Sequence, residues 1–163
     1  MTSLDPALLP ASGRFEGSEH CFPLRVYYED TDAAGIVYYA NYLKFAERAR
    51  TEALRLSGRD HQELLRDAGL FFAVRHVEVE YLWPARLDDA VLVRTRFTSM
   101  GAAFVDAEQR LFVGDRLLAR VLMKVVTLTP TGRPARIPAA WREHFKTYLM
   151  DPAGDGTATA SQT

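Results

Sequence analysis

A single cysteine, Cys21, stands among 163 residues, so neither an internal disulfide nor a thiolate metal cluster is available to this chain. A lone cysteine is expected to be a small buried hydrophobe. No apolar run approaches the ~20 residues that span a bilayer. The opening Met1–His20 carries Asp5 and two prolines without a long apolar stretch, which reads against a secretory signal. Neither sign of charge dominates: the net charge is −1, which argues against a nucleic-acid partner. His20, His61, His76 and His144 show no ligand spacing, and there is neither a GxSxG elbow nor a Cys–His arrangement. These absences predict a soluble cytoplasmic protein with no transmembrane segment, no metal and no organic cofactor.

What is present suits one globular domain. Hydrophobic residues make up 48% and charged residues 25%, enough for a sizeable core. Residues 1–20 are punctuated by Gly, Pro, Ser and Glu, and residues 151–163 are small and polar. Both segments are expected to be poorly ordered, leaving a domain over 21–150.

Phe22 to Tyr28 is rich in aromatic and β-branched residues and predicts a first strand, ended by the polar turn Glu29 to Gly35. From about Tyr39 to Leu56 the spacing becomes helical, with Tyr42, Phe45, Ala46, Ala49, Ala53 and Leu56 on one apolar stripe. Glu47 with Arg50, and Arg48 with Glu52, offer ion pairs on its outer surface. Ser57-Gly58 stops this helix, and a shorter one, Asp60 to Asp67, ends at Gly69. Strands follow at Phe71–Trp83, Val91–Thr98, Ala102–Val113 and Leu117–Leu128, with tight turns at Ser99-Met100-Gly101 and Gly114-Asp115. Pro130–Pro138 reads as a loop and Ala139–Leu149 as a short helix. One long helix and about five strands predict an α+β domain with a curved antiparallel sheet around that helix. The apolar surface left over would favour oligomers.

Chemistry concentrates in Tyr28–Tyr42. Asp32 precedes a glycine-containing turn and then the start of the long helix, where backbone N–H groups lack intrahelical partners. A fixed carboxylate beside such donors is what hydrolysis of an activated acyl group requires. Asp32 can activate water as a general base or attack directly, and the sequence leaves both routes open. Its structural alternative is a turn or helix cap. Asp30, Asp32 and Gly35 also imitate a calcium loop. The imitation fails, because Ala34 stands where a third ligand belongs and Asn41 occupies the twelfth position. Glu29 and Asp30 are expected to be turn and surface carboxylates. The tyrosines at 27, 28, 38, 39 and 42 are either core or the walls of an acyl pocket.

Arg25-Val26, Thr31-Asp32-Ala33-Ala34-Gly35-Ile36-Val37 and Tyr39-Ala40-Asn41-Tyr42 together resemble the motif of hotdog-fold thioesterases of the 4-hydroxybenzoyl-CoA type. Glu47-Arg48-Ala49-Arg50-Thr51-Glu52 and the run Val79 to Asp89 look most like the bacterial branch associated with the Tol-Pal cell-envelope system. The similarity extends from about Phe22 to Leu128. It implies a curved sheet wrapped around one central helix, paired into dimers and usually into a dimer of dimers. It also implies active sites at the dimer interface, with a coenzyme A channel there. By the same resemblance Asp32 is the catalytic carboxylate, and the Tyr39 backbone N–H polarises the thioester carbonyl. Gly35, Val37, Tyr38, Asn41 and Tyr42 would meet the substrate. The chain departs from the Tol-Pal branch at Tyr39, where histidine is frequent. Tyrosine is common there in the 4-hydroxybenzoyl-CoA branch. The departure removes an imidazole and leaves the backbone donor in place.

The activity so implied is hydrolysis of acyl-CoA to free acid and coenzyme A. Rival readings are an acyl-carrier-protein or aromatic acyl-CoA thioesterase, or an envelope-associated interaction protein with incidental activity. Arg94, Arg96, Lys124, Arg133 and Arg136 are available to coenzyme A phosphates, or form a solvated strand surface.

Overall fold

The alternating segments build one six-stranded antiparallel sheet. A computed structural model describes residues 5–150; the tail expected at 151–163 lies outside them, as do residues 1–4. The strands are β1 (Arg14–Glu16), β2 (Glu19–Arg25), β3 (Phe71–Tyr81), β4 (Ala90–Met100), β5 (Phe104–Val113) and β6 (Arg116–Leu128), in the order β1-β2-β4-β5-β6-β3. The helices are α1 (Asn41–Leu56), α2 (His61–Ala68) and α3 (Ala139–Lys146). Register shifts at Val74/His76, Phe97/Ser99 and Leu111/Phe112 mark bulges, which bend a sheet and strengthen its twist. The concave face holds α1, which touches β1, β2, β4 and β6.

Alternation supplies the core. Phe22 faces Val93 across β2–β4, and Val93 faces Leu111 across β4–β5. All three are buried with Val26, Val121 and Met123 against Tyr42, Phe45 and Ala49 of α1. The alanines of the α1 stripe let the helix lie close to the sheet. A second cluster, Leu64, Leu70, Ile137 and Trp141, packs on Leu54. Leu54 is therefore only 8% exposed while Leu56, expected on the stripe, is 42% exposed. The buried face of α1 shifts by two residues there because α2 and α3 fold around its end. Glu52, expected opposite Arg48, pairs with Arg55, and the Arg48 guanidinium lies over the Phe45 ring.

The segment expected to be irregular up to His20 instead adds β1 and the start of β2. His20 is fully buried, and its Nε2–H donates to Ser12 O at 2.9 Å. Burial holds its imidazole below the usual histidine pKa, so the neutral form occupies the core. Gly13 is required beside it: its φ is +74°, and a Cβ there would sit 2.1 Å from Cys21 O. Cys21 is buried as expected. Among the described residues no helix is long and apolar enough to cross a membrane.

One core feature is polar. Thr95 of β4 and Gln109 of β5 face each other on the concave side, both fully buried. Gln109 Nε2 donates to Thr95 Oγ1 at 3.0 Å and to Ala46 O at 2.8 Å, while its Oε1 accepts from Arg50 Nη1 at 2.6 Å. Arg50 also pairs with Glu47 as expected, but it lies against the sheet with its side chain 10% exposed and not on the outer surface of the helix.

Candidate active site

Between β2 and α1 the chain makes a short hairpin. Thr31 bridges Val37, the Tyr38 N–H donates to Asp30 O, and the Asp32 N–H donates to Ile36 O. At its tip the Gly35 N–H donates to Asp32 O at 2.9 Å, closing a four-residue turn whose last residue has φ +75°. Aspartate first and glycine last is the composition such a turn selects. Gly35 is therefore a backbone requirement of the turn that carries Asp32.

The Asp32 carboxylate is exposed, and its Oδ1 accepts the Ala34 N–H at 2.8 Å. Among the described residues its Oδ2 has no hydrogen-bond partner, so one oxygen is fixed and the other is free to act. Past the hairpin, the N–H groups of Tyr39 and Ala40 likewise have no acceptor among the described residues. Ala40 caps α1 without a side-chain bond, and the first helical turn contains no acidic residue. The positive end of the helix dipole is left uncompensated on the chain that carries Asp32. The helix begins at Asn41, so Tyr39 lies just before it, not within its first turn as expected.

Several residues hold this arrangement. Asp30, expected at the surface, is 4% exposed: its Oδ2 accepts the Tyr27 N–H at 2.8 Å, and its main-chain O accepts both Tyr38 N–H and Asn41 Nδ2. Asn41 is thereby committed to the scaffold. Val37 and Tyr42 are buried in the core. Val37 ties its N–H to Ala85 O, and Tyr42 Oη accepts the Ala85 N–H at 2.9 Å. Tyr38 and Tyr39 remain exposed, with ring centroids 4.7 Å apart.

Sequence reasoning missed Tyr81. Its Oη donates to Tyr39 O at 2.9 Å, and its ring meets Tyr39 edge-on at 6.2 Å and Tyr42 at 5.5 Å. Tyr81 alternates with His76, Glu78 and Glu80 in the sequence and so shares a strand face with Val77 and Val79, which was the available signal. Burial raises the pKa of both the Tyr42 and Tyr81 hydroxyls, so both stay protonated at neutral pH.

Three of the five basic residues considered for phosphates are engaged elsewhere. Arg94 and Arg96 pair with Glu19, and Lys124 pairs with Asp106 at 2.6 Å. Arg133 and Arg136 are exposed on the loop before α3. Among the described residues no three His, Cys, Asp or Glu side chains gather as a metal site.

Residues 34–119 match the family model described as the thioesterase superfamily. Acyl-CoA thioesterase YbgC of Haemophilus influenzae is 41% identical over 130 residues, spanning 77% of this chain and 95% of that protein. Acyl-CoA thioester hydrolase YbgC of Escherichia coli O157:H7 is 42% identical over 127 residues, spanning 77% and 94%. The crystal structure of a probable thioesterase from Bartonella henselae shares 36% identity and superposes with a TM-score of 0.70, over 74% of this chain and 99% of that one. The hotdog architecture expected from the motif agrees with the observed sheet and central helix. The chain belongs to the thioesterase superfamily and, with it, to the thioester hydrolases.

Proposed function

We propose that the protein is an acyl-CoA thioesterase that releases free acid and coenzyme A, with Asp32 as general base or nucleophile and the Tyr39 N–H as oxyanion donor. The observation that carries this is the shared hairpin: one unbonded carboxylate oxygen at its tip and unbonded N–H groups at its exit, before an uncapped helix. The relatives' acyl-CoA names support the substrate class. A thioester carbonyl is weakly resonance-stabilised and its thiolate leaves without protonation. A nucleophile and an oxyanion donor therefore suffice, and the reading includes no metal or organic cofactor.

The reading also includes a homo-oligomer. Among the described residues β3, at the sheet edge, pairs only with β6, and Val74, Val77, Leu82 and Trp83 leave apolar surface exposed along it and just beyond. A long apolar edge of this kind is a pairing surface. A dimer of dimers and an association with the Tol-Pal system rest on the motif resemblance, and a cytoplasmic location is part of the same reading. An acyl carrier protein as the thioester carrier is the rival for substrate.

The test is a panel of butanoyl-, octanoyl-, hexadecanoyl- and benzoyl-CoA, with an acyl carrier protein thioester beside it. Turnover of at least one CoA ester, undiminished by chelator, is expected from a species that scatters as a multiple of the 18.3 kDa chain. Hydrolysis confined to the carrier-protein thioester would overturn the CoA assignment.

Tyr39 tests the donor. If its N–H acts, Tyr39→Phe keeps kcat within about tenfold, a barrier change of no more than ~1.4 kcal/mol. A phenolic acid would behave otherwise, losing about a hundredfold or more. The hydroxyls of Tyr42 and Tyr81 offer no substitute, since Tyr81 Oη already donates to Tyr39 O and Tyr42 is buried in the core.

A further inference from the structure

A cavity of about 120 Å³ lies between the second half of α1 and the concave face of the sheet. Its walls are mostly apolar: Ala53 and Leu54 from α1, Phe72 from β3, Val105 and Ala107 from β5. Folded interiors rarely keep such voids, and dry apolar ones take up apolar ligands. The void exists because small residues, Ala53 and Ala107, occupy the helix and sheet sides where larger ones would fill the space.

Of the polar groups on the wall, Glu47, Arg50 and Ser57 are already engaged, while the His61 ring and the Tyr148 hydroxyl have no hydrogen-bond partner among the described residues. Arg50 bonds Gln109 and Glu47, and Ser57 Oγ donates to Leu54 O at 2.7 Å. The lining around Ala53, Leu54, Val105 and Ala107 asks no hydrogen bond of its occupant, which suits a saturated chain better than a hydroxylated ring. Glu47, the first helix residue on the wall, follows the helix start by six positions, or roughly 9 Å of helix rise. A thioester held at the helix start could thus extend its tail along α1 into the cavity.

The far end is closed by segments outside the family-matched stretch 34–119. The rings of Phe15 of β1 and Tyr148 pack at a tilt with centroids 4.7 Å apart. Leu149 bridges Phe97, and the Met150 N–H donates to Phe97 O at 2.9 Å. Phe15, Tyr148 and Leu149 all line the cavity.

We propose that this cavity receives the distal end of an unbranched aliphatic acyl chain, and that Phe15, Tyr148 and Leu149 close it and set the longest chain accepted. The proposal rests on the acyl-CoA thioesterase reading, and its test separates the two. Ala107→Leu narrows the cavity, and Leu149→Ala opens its end. For each variant, kcat and KM are measured with butanoyl-, octanoyl-, dodecanoyl- and hexadecanoyl-CoA. Binding of cis-parinaric acid, a fluorescent straight-chain fatty acid, is measured in parallel without any turnover.

Ala107→Leu should lower the dodecanoyl-to-butanoyl ratio of kcat/KM about tenfold, mainly through KM, and weaken parinarate binding by a similar factor. Leu149→Ala should raise the hexadecanoyl-to-dodecanoyl ratio about tenfold. An unchanged length profile in both folded variants, with turnover intact, overturns the cavity proposal and leaves the thioesterase reading standing. Absence of turnover with every ester, alongside parinarate binding that Ala107→Leu abolishes, overturns the thioesterase reading and supports the cavity. Failure of the parental protein to bind parinarate overturns the proposal outright.

Discussion

Asp32→Asn is expected to leave the fold intact and to cut kcat by about two to four orders of magnitude. The side chain is exposed and Asn can keep the one bond it makes, Oδ1 to the Ala34 N–H. The turn should therefore survive, and thermal unfolding should be nearly unchanged. What is lost is the free Oδ2. An amide nitrogen in its place neither accepts a proton from water nor attacks a thioester carbonyl. The loss corresponds to about 2.7–5.5 kcal/mol of barrier. Asp32→Glu is the sharper control, because it keeps the charge while the extra methylene displaces it from a turn built for aspartate. It should also be impaired, though less than the amide. Near-parental turnover in Asp32→Asn, with folding confirmed by circular dichroism, would remove Asp32 from the mechanism.

The residues of this hairpin were legible because their signals are local. A Gly after Asp-Ala-Ala fixes a turn within four residues, and the apolar stripe from Tyr42 to Ala53 fixes a helix and its buried face. Neither depends on what packs across the sheet. The misreadings have the opposite character. Asp30 looks like a surface carboxylate until Tyr27, Tyr38 and Asn41 converge on it from both sides of the hairpin. Leu54 is buried only because α2 and α3 fold over the end of α1. The strand β1 is three residues long, too short to show a period, and is visible only through its pairing with β2. Tyr81 lies forty-two positions from Tyr39, and their contact belongs to the closure of the sheet on the helix. Alternation tells which residues share a face of a strand, while the covering of that face is a tertiary fact.

Gln109 shows that limit most clearly, and it carries the largest expected effect on stability. Gln109→Leu is expected to cost about 3 kcal/mol, because it removes the acceptor of a charged donor and strands buried polar groups. Arg50 depends on that acceptor: its side chain is 10% exposed, and burial lowers its pKa against the raising influence of Glu47. Leucine fits the space roughly but leaves Arg50 Nη1 unpaired and takes a hydrogen bond from Ala46 O. In a protein of this size the midpoint of thermal unfolding should fall by about 6–12 °C. Arg50→Met alone should also destabilise, by about 1–3 kcal/mol, since Gln109 Oε1 then lacks its donor. The two changes together remove both ends of the interaction. The double variant should therefore be destabilised by at least about 1 kcal/mol less than the sum of the singles, as contacting residues in one network are. Strict additivity in urea unfolding, with unchanged m-values, would show that Arg50 and Gln109 share a contact without sharing its energy.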